Sequence, residues 1–279
     1  MTVTARDLER AVPAPVKLWI CANDDLAPAI AAVLATHWLD ESEQQIAGRF
    51  LFERDRRQYL VAHALVRRAL ALEAGLAEAE LVIFRSSRGR PFLQPPDGGL
   101  PRGGPELDFN LSHASGYNLL GVMRGQRIGV DVERLGRDAQ ALDTIVDTFA
   151  PQERAWVARA APGHSRDRRV LRLWTLKEAY SKARGLGLGL PFDEFAFELA
   201  EDRGVIGFRP PADDESGRWR LVELEPVPDV LVAVAIQAAP GQDPVLQLHH
   251  GFPWGRAVPR RIALPEPLGG TPLEEAAAR

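Results

Sequence analysis

Apolar residues alternate with other residues at Ile128, Val130 and Val132, which predicts a strand through that stretch. In a strand, positions two apart share a face, so Asp131 and Glu133 point together, opposite Val130 and Val132. A second pattern, Leu171, Trp174, Glu178 and Lys182, recurs every three to four residues and predicts a helix, with Lys177 beside the stripe. The longest helical pattern runs over 53–73, with Tyr59, Leu60, Ala64, Leu65, Leu70 and Leu72 as its apolar positions and Gly75 ending it.

The other elements follow in order. Residues 16–21 read as a buried strand and 26–38 as a helix entered through Asn23-Asp24-Asp25. Ser42 and Gln45 fit a capping box for a short helix. Residues 81–84 read as a strand and Arg88-Gly89-Arg90-Pro91 as a turn. The Pro/Gly-rich 95–105 reads as a surface loop. Strands at 109–113 and 117–122 flank a turn at 114–116, and Arg124-Gly125-Gln126 is a tight turn before the Asp131 strand. Leu142, Ile145, Val146 and Phe149 mark an amphipathic helix, and Pro151 opens another that ends at 161–163. The Lys177 helix ends at Gly185. Four antiparallel strands follow at 195–199, 205–208, 219–224 and 230–237, with a last strand at 246–250. This order divides the chain into half-domains at 1–125 and 126–248 and a Pro/Gly/Ala-rich tail at 249–279, expected to be extended.

Composition narrows the classes. A net charge of -4 gives no overall reason to expect nucleic acid as a partner. No apolar run is long enough to span a membrane, and residues 1–12 lack the apolar core of a secretory signal. The single cysteine, Cys21, lies in an apolar run and allows no intrachain disulfide, which fits a reducing cytoplasm. A soluble cytoplasmic protein is the expectation.

Two carboxylates on one strand face repel, and either water or a divalent cation relieves them. Carboxylates, water and a substrate phosphate together make a magnesium site. If the Lys177 helix packs on that strand, Glu178 becomes a third carboxylate, and Lys177 and Lys182 become cations for phosphate oxygens. Each feature also has a bland reading. Asp-x-Glu is common on a solvated strand face, and Glu178 with Lys182 forms an ordinary i,i+4 helix pair. The arginines at 49, 54, 56 and 57 sit at a helix entry, where the helix N-terminus adds to their attraction for phosphate. Ser112 and His113 stand beside a turn whose backbone N–H groups can hold a phosphate. Nothing nearby resembles a nucleophile elbow, so a Ser-His hydrolase is the poorer reading. His249-His250 reads as a surface pair.

Taken together and in order, Ile128-Gly129-Val130-Asp131-Val132-Glu133 and Trp174-x-x-Lys177-Glu178-Ala179-x-x-Lys182 resemble the signature of the 4'-phosphopantetheinyl transferases, with the single-chain, surfactin-synthetase-activating type as the nearer match. Arg88-Gly89-Arg90-Pro91, Phe109-Asn110-Leu111-Ser112-His113 and Gly187-Leu188-Gly189-Leu190-Pro191 agree with it. The resemblance implies an α+β fold of two similar half-domains about a pseudo-twofold axis. Each is a small, mostly antiparallel sheet packed with helices, with the active site in the cleft between them. It implies Mg2+ held by Asp131, Glu133 and Glu178, and Glu178 as base with Lys182 and Lys177 stabilising phosphate charge. Coenzyme A phosphates would meet Arg49, Arg57, Arg90, Ser112, His113 and Lys182. The implied acceptor is an apo acyl or peptidyl carrier protein, the implied product adenosine 3',5'-bisphosphate, and the implied working unit a monomer. Two alternatives share parts of this site: another magnesium-dependent nucleotide phosphohydrolase, and a non-catalytic module that binds coenzyme A or a carrier protein.

Overall fold

A computed structural model of the chain describes residues 15–94, 106–238, 244–255 and 258–265. The surface loop expected at 95–105 lies outside the described residues. In the first half, β1 (Val16–Ala22) leads into α1 (Pro28–Trp38), which has Pro28 in its first turn. Helix α2 (Glu41–Ala47) is capped by Asp40 and Glu43, not by the expected Ser42 and Gln45. Asp40 Oδ1 accepts from Glu43 N at 2.9 Å, and Glu43 Oε2 accepts from Asp40 N at 3.0 Å. Helix α3 (Glu53–Ala74) ends where Gly75 turns left-handed at φ 70. A hairpin of β2 (Ile83–Arg85) and β3 (Pro91–Leu93) and a second of β4 (Leu107–Ala114) and β5 (Tyr117–Arg124) complete the half.

The second half opens with β6 (Ile128–Arg134), followed by α4 (Ala139–Asp147), α5 (Pro151–Ala158) and α6 (His164–Arg184). The hairpin β7 (Ala196–Leu199) and β8 (Val205–Arg209) precedes β9 (Trp219–Val227) and β10 (Val230–Gln237). Then come β11 (Leu246–His250) and β12 (Arg260–Ile262).

The strands form a five-stranded sheet, β12-β11-β1-β5-β4, and a three-stranded sheet, β6-β10-β9, besides the two small hairpins. Val16, Leu18 and Ile20 on β1 meet Ile128, Val130 and Val132 on β6 and Val230, Val232 and Val234 on β10 in one apolar layer between the sheets. On its outer face the first sheet packs through Trp19, Phe109 and Leu120 against Val61, Leu65 and Ala69 of α3. The second packs through Leu231, Ala233 and Ala235 against Leu173, Leu176 and Tyr180 of α6. The architecture is therefore α+β, two helix-backed sheets facing each other.

The ends of the chain depart from the expected division. Strand β11 runs parallel to β1, from Val16 opposite Leu246 to Ile20 opposite His250, and β12 pairs with β11. These strands join the first half's sheet; of the tail expected at 249–279, residues 256–257 and 266–279 lie outside the described residues. The His249 ring stacks on Trp19 with centroids 4.9 Å apart, which accounts for it without a metal.

Candidate active site

The two sheets meet along a seam between edge strands β4 and β6. Side chains, not a main-chain ladder, close it. Asp108 Oδ2 accepts from Ile128 N at 2.9 Å, and Asn110 Oδ1 accepts from Val130 N at 2.8 Å. One rung further, Ser112 Oγ donates to Asp131 Oδ1 at 2.7 Å. Asp108, Asn110 and Ser112 share one strand face by the period of two. The polar role of Asp108 and Asn110 was not drawn from the sequence, although their alternation with Phe109 and Leu111 carried the signal.

The other face of β6 meets α6. Gly129 permits this contact: a Cβ there would stand 2.0 Å from Ala179 O and 2.4 Å from Ala183 N. With the helix this close, Lys182 Nζ reaches Asp131 Oδ1 at 2.6 Å and Ser112 Oγ at 3.1 Å, and stands 3.9 Å from Glu178 Oε2. Glu133 accepts from Trp174 Nε1 at 3.0 Å and from Arg137 Nε at 3.0 Å. The structure thus brings together Ser112, Asp131, Glu133, Glu178 and Lys182. Asp131 and Glu133 are buried, not solvated. Trp174 orients Glu133 directly.

Burial, and then the Asp131 charge, raises the pKa of Glu133 against the opposing pull of Arg137 and Trp174. Burial also raises Glu178, with Lys182 opposing and Asp131 and Glu133 adding. His113, across the strand from Ser112, is held below its ordinary value, first by desolvation and then by the Lys182 ammonium. A cleft of about 490 Å3 opens beside Glu133. It is lined by Ala114 and Ser115 from the first half and by Glu133, Arg134, Gly136 and Arg137 from the second.

Four expected site residues lie elsewhere. Lys177 is on the far side of α6, fully buried. Its Nζ pairs with Glu153 Oε2 at 2.8 Å, donates to Phe192 O and Phe195 O at 2.6 and 2.8 Å, and lies 4.2 Å from the Phe195 ring centroid. One residue along a helix is a rotation of about 100°, so Lys177 cannot share the stripe of Glu178. Arg57 donates to Asn23 O at 3.1 Å and Asp24 Oδ1 at 2.9 Å, which ties α3 to the β1–α1 connection. Arg90 is buried, and its guanidinium is bonded to Asp108 and to backbone carbonyls. Arg49 is exposed just beyond α2.

Among the described residues no three His, Cys, Asp or Glu side chains are grouped to hold a metal ion. Arg137 engages Glu133, and Lys182 lies between Asp131 and Glu178. Asp131 Oδ2 in this cluster is buried and makes no hydrogen bond. No helix among the described residues is long and apolar enough to cross a membrane.

Comparison with known proteins gives the constellation its context. The model of the 4'-phosphopantetheinyl transferase superfamily matches residues 127–235, and that of a 4'-phosphopantetheinyl transferase N-terminal region matches residues 28–123. The chain is 32% identical over 242 residues to a phosphopantetheinyl transferase of Thraustochytrium, covering 82% of each chain. It is 29% identical to the 4'-phosphopantetheinyl transferase HetI of Nostoc, over 79% of this chain and 87% of that one. A 4'-phosphopantetheinyl transferase of Bacillus subtilis is 29% identical over 56% of this chain and 65% of its own. With both halves matched and a relative similar over most of its length, the chain belongs to the 4'-phosphopantetheinyl transferase superfamily of enzymes.

Proposed function

We propose that this enzyme transfers the 4'-phosphopantetheine arm of coenzyme A to a serine hydroxyl of an apo carrier protein. The serine oxygen forms a bond to the β-phosphorus, the pyrophosphate bridge breaks, and adenosine 3',5'-bisphosphate leaves. The observation that carries the reading is Lys182 Nζ, 2.6 Å from Asp131 and 3.9 Å from Glu178 at the seam of the two halves. Displacement at phosphorus needs charge neutralisation and alignment more than covalent help. Lys182 and Ser112 present a cation and a hydroxyl to phosphate oxygens, and His113 borders the same place. Glu178, whose pKa burial raises, takes the serine proton.

The donor chemistry fits magnesium: the buried, unpartnered Asp131 Oδ2 stands near two carboxylates whose pKa values are raised. As placed here the three carboxylates do not form a metal-ion grouping; drawn together, Asp131, Glu133 and Glu178 would hold the ion, which when bound supplies positive charge to the pyrophosphate. Both halves of one chain contribute to the cluster, so a monomer suffices, and the cytoplasm is its compartment.

Intact-protein mass spectrometry of an apo carrier protein with coenzyme A, magnesium and this enzyme tests the reading. The carrier is expected to gain one phosphopantetheine arm, and the gain is expected to vanish with chelator and with Glu178→Gln. No gain on several unrelated carriers would overturn the reaction. A gain that survives Glu178→Gln would overturn the assignment of the base.

A further inference from the structure

Arg90 comes from the β2–β3 hairpin of the first half, and its guanidinium ends at the seam with the second. Nη2 donates to Asp108 Oδ2 at 2.6 Å and to Ile128 O at 2.9 Å, and Nη1 donates to Lys182 O. The side chain is buried, and Asp108 is 1% exposed. Lys182 O lies in the last turn of α6, where it also accepts from Gly185 N at 3.0 Å and where the helix dipole favours a cation. Arg90 also packs against Gly185, the left-handed residue that ends α6: a Cβ there would sit 3.6 Å from Arg90 Cδ.

We infer that Arg90 is a positioning residue, not a phosphate ligand. It clamps the C-terminal turn of α6 to β4 and β6 and so sets where the Lys182 ammonium stands. This rests on the transferase reading for its catalytic consequence. One planar fork reaches three partners on three elements: an acid on β4, a carbonyl on β6 and a carbonyl on α6. A lysine presents a single point charge and cannot span them. The same hairpin carries an exposed cation, Arg88, available to solvent anions. The two arginines, two residues apart, therefore differ: Arg88 is exposed, and Arg90 faces the fold.

The test compares wild type with Arg90→Lys, Arg90→Met and Arg88→Ala. Calorimetry gives the affinity for coenzyme A and the number of binding-competent sites, and the mass assay gives kcat per such site. Hydrogen exchange of residues 179–185 reads the clamp without any turnover. For both Arg90 variants we expect an unchanged site number and a fall in kcat per site of about ten- to a hundredfold, as for a reacting group displaced by about an ångström, with any loss of coenzyme A affinity accompanied by faster exchange. Exchange at 179–185 should be faster. Weaker coenzyme A binding with normal exchange, or full rescue by Arg90→Lys, would overturn the proposal and restore Arg90 as a phosphate ligand. A loss of site number in proportion to rate would reduce it to a general fold contact and also overturn it. Arg88→Ala, at an exposed position of the same hairpin, should leave exchange at 179–185 unchanged. If the wild type proves inactive, the transferase reading fails, while the exchange comparison still decides the clamp.

Discussion

Ser112, on β4 of the first half, and Asp131, on β6 of the second, are joined hydroxyl to carboxylate at 2.7 Å, with Lys182 Nζ bonded to both. The three form one unit in which the lysine carries the charge and the serine holds the geometry. Ser112→Ala removes two hydrogen bonds to charged groups but leaves Lys182 and Asp131 paired with each other, a loss of roughly 1.5 kcal/mol. Lys182→Met removes the cation itself and leaves Asp131 buried with no opposite charge, so its effect on kcat/KM is expected to be larger, at least about a hundredfold. Steady-state transfer assays of the two variants check the order. Equal losses would mean that the lysine's charge adds nothing.

The close approach of α6 to β6 makes Gly129 intolerant. Any Cβ would collide with backbone atoms of Ala179 and Ala183, which cannot rotate away. Gly129→Ala should lower stability by about 1–3 kcal/mol, as overpacking does, and should lower activity at temperatures where the protein is still folded, because Glu178 and Lys182 move with the helix. Thermal melts alongside transfer rates test both parts.

Lys177 gives an opposite expectation. It has no path to the cleft, so Lys177→Met should act on stability. The change strands Glu153, whose carboxylate is 1% exposed, and breaking a buried pair costs about 3–5 kcal/mol. Adding Glu153→Gln should recover part of that, which chemical denaturation of the single and double variants would reveal. A Lys177→Met enzyme with normal stability and lost activity would return this lysine to the chemistry.

His113 should titrate below 6.5, since desolvation and then Lys182 disfavour its charged form. Between its folded pKa and 6.5 the unfolded chain binds more protons at this site than the folded one. Its contribution therefore falls as pH drops through that window, with the full penalty present below the folded pKa. NMR titration of the imidazole checks the direction, and Lys182→Met should move the His113 pKa upward.

Much of the cluster was legible because it depends on two short periodicities. The period of two on β6 put Asp131 and Glu133 on one face, and the i,i+4 step on α6 put Glu178 under Lys182. The same helical period, applied strictly, turns Lys177 away, but the density of charge around Trp174 drew it into the wrong group. The partners that fix Lys177 and Arg90 were beyond any local pattern. Glu153 belongs to another helix of the same half and Asp108 to another sheet of the same half, so their pairings exist only once each half has packed. The α2 cap failed for a simpler reason: Asp40-x-x-Glu43 and Ser42-x-x-Gln45 are both admissible boxes two residues apart. The choice fell to Glu43, whose carboxylate also bonds His63 and Arg67.

The parallel pairing of β11 with β1 sets a timetable for synthesis. The first strand leaves the ribosome roughly 220 residues before its neighbour is made, which at about 5–20 residues per second is an interval of tens of seconds. Throughout it, one hydrogen-bonding edge of the nascent first sheet stays open, a template for any passing extended segment. A premature stop before Leu246 would make that interval permanent, so nonsense products of this gene should be found in inclusion bodies or bound to chaperones.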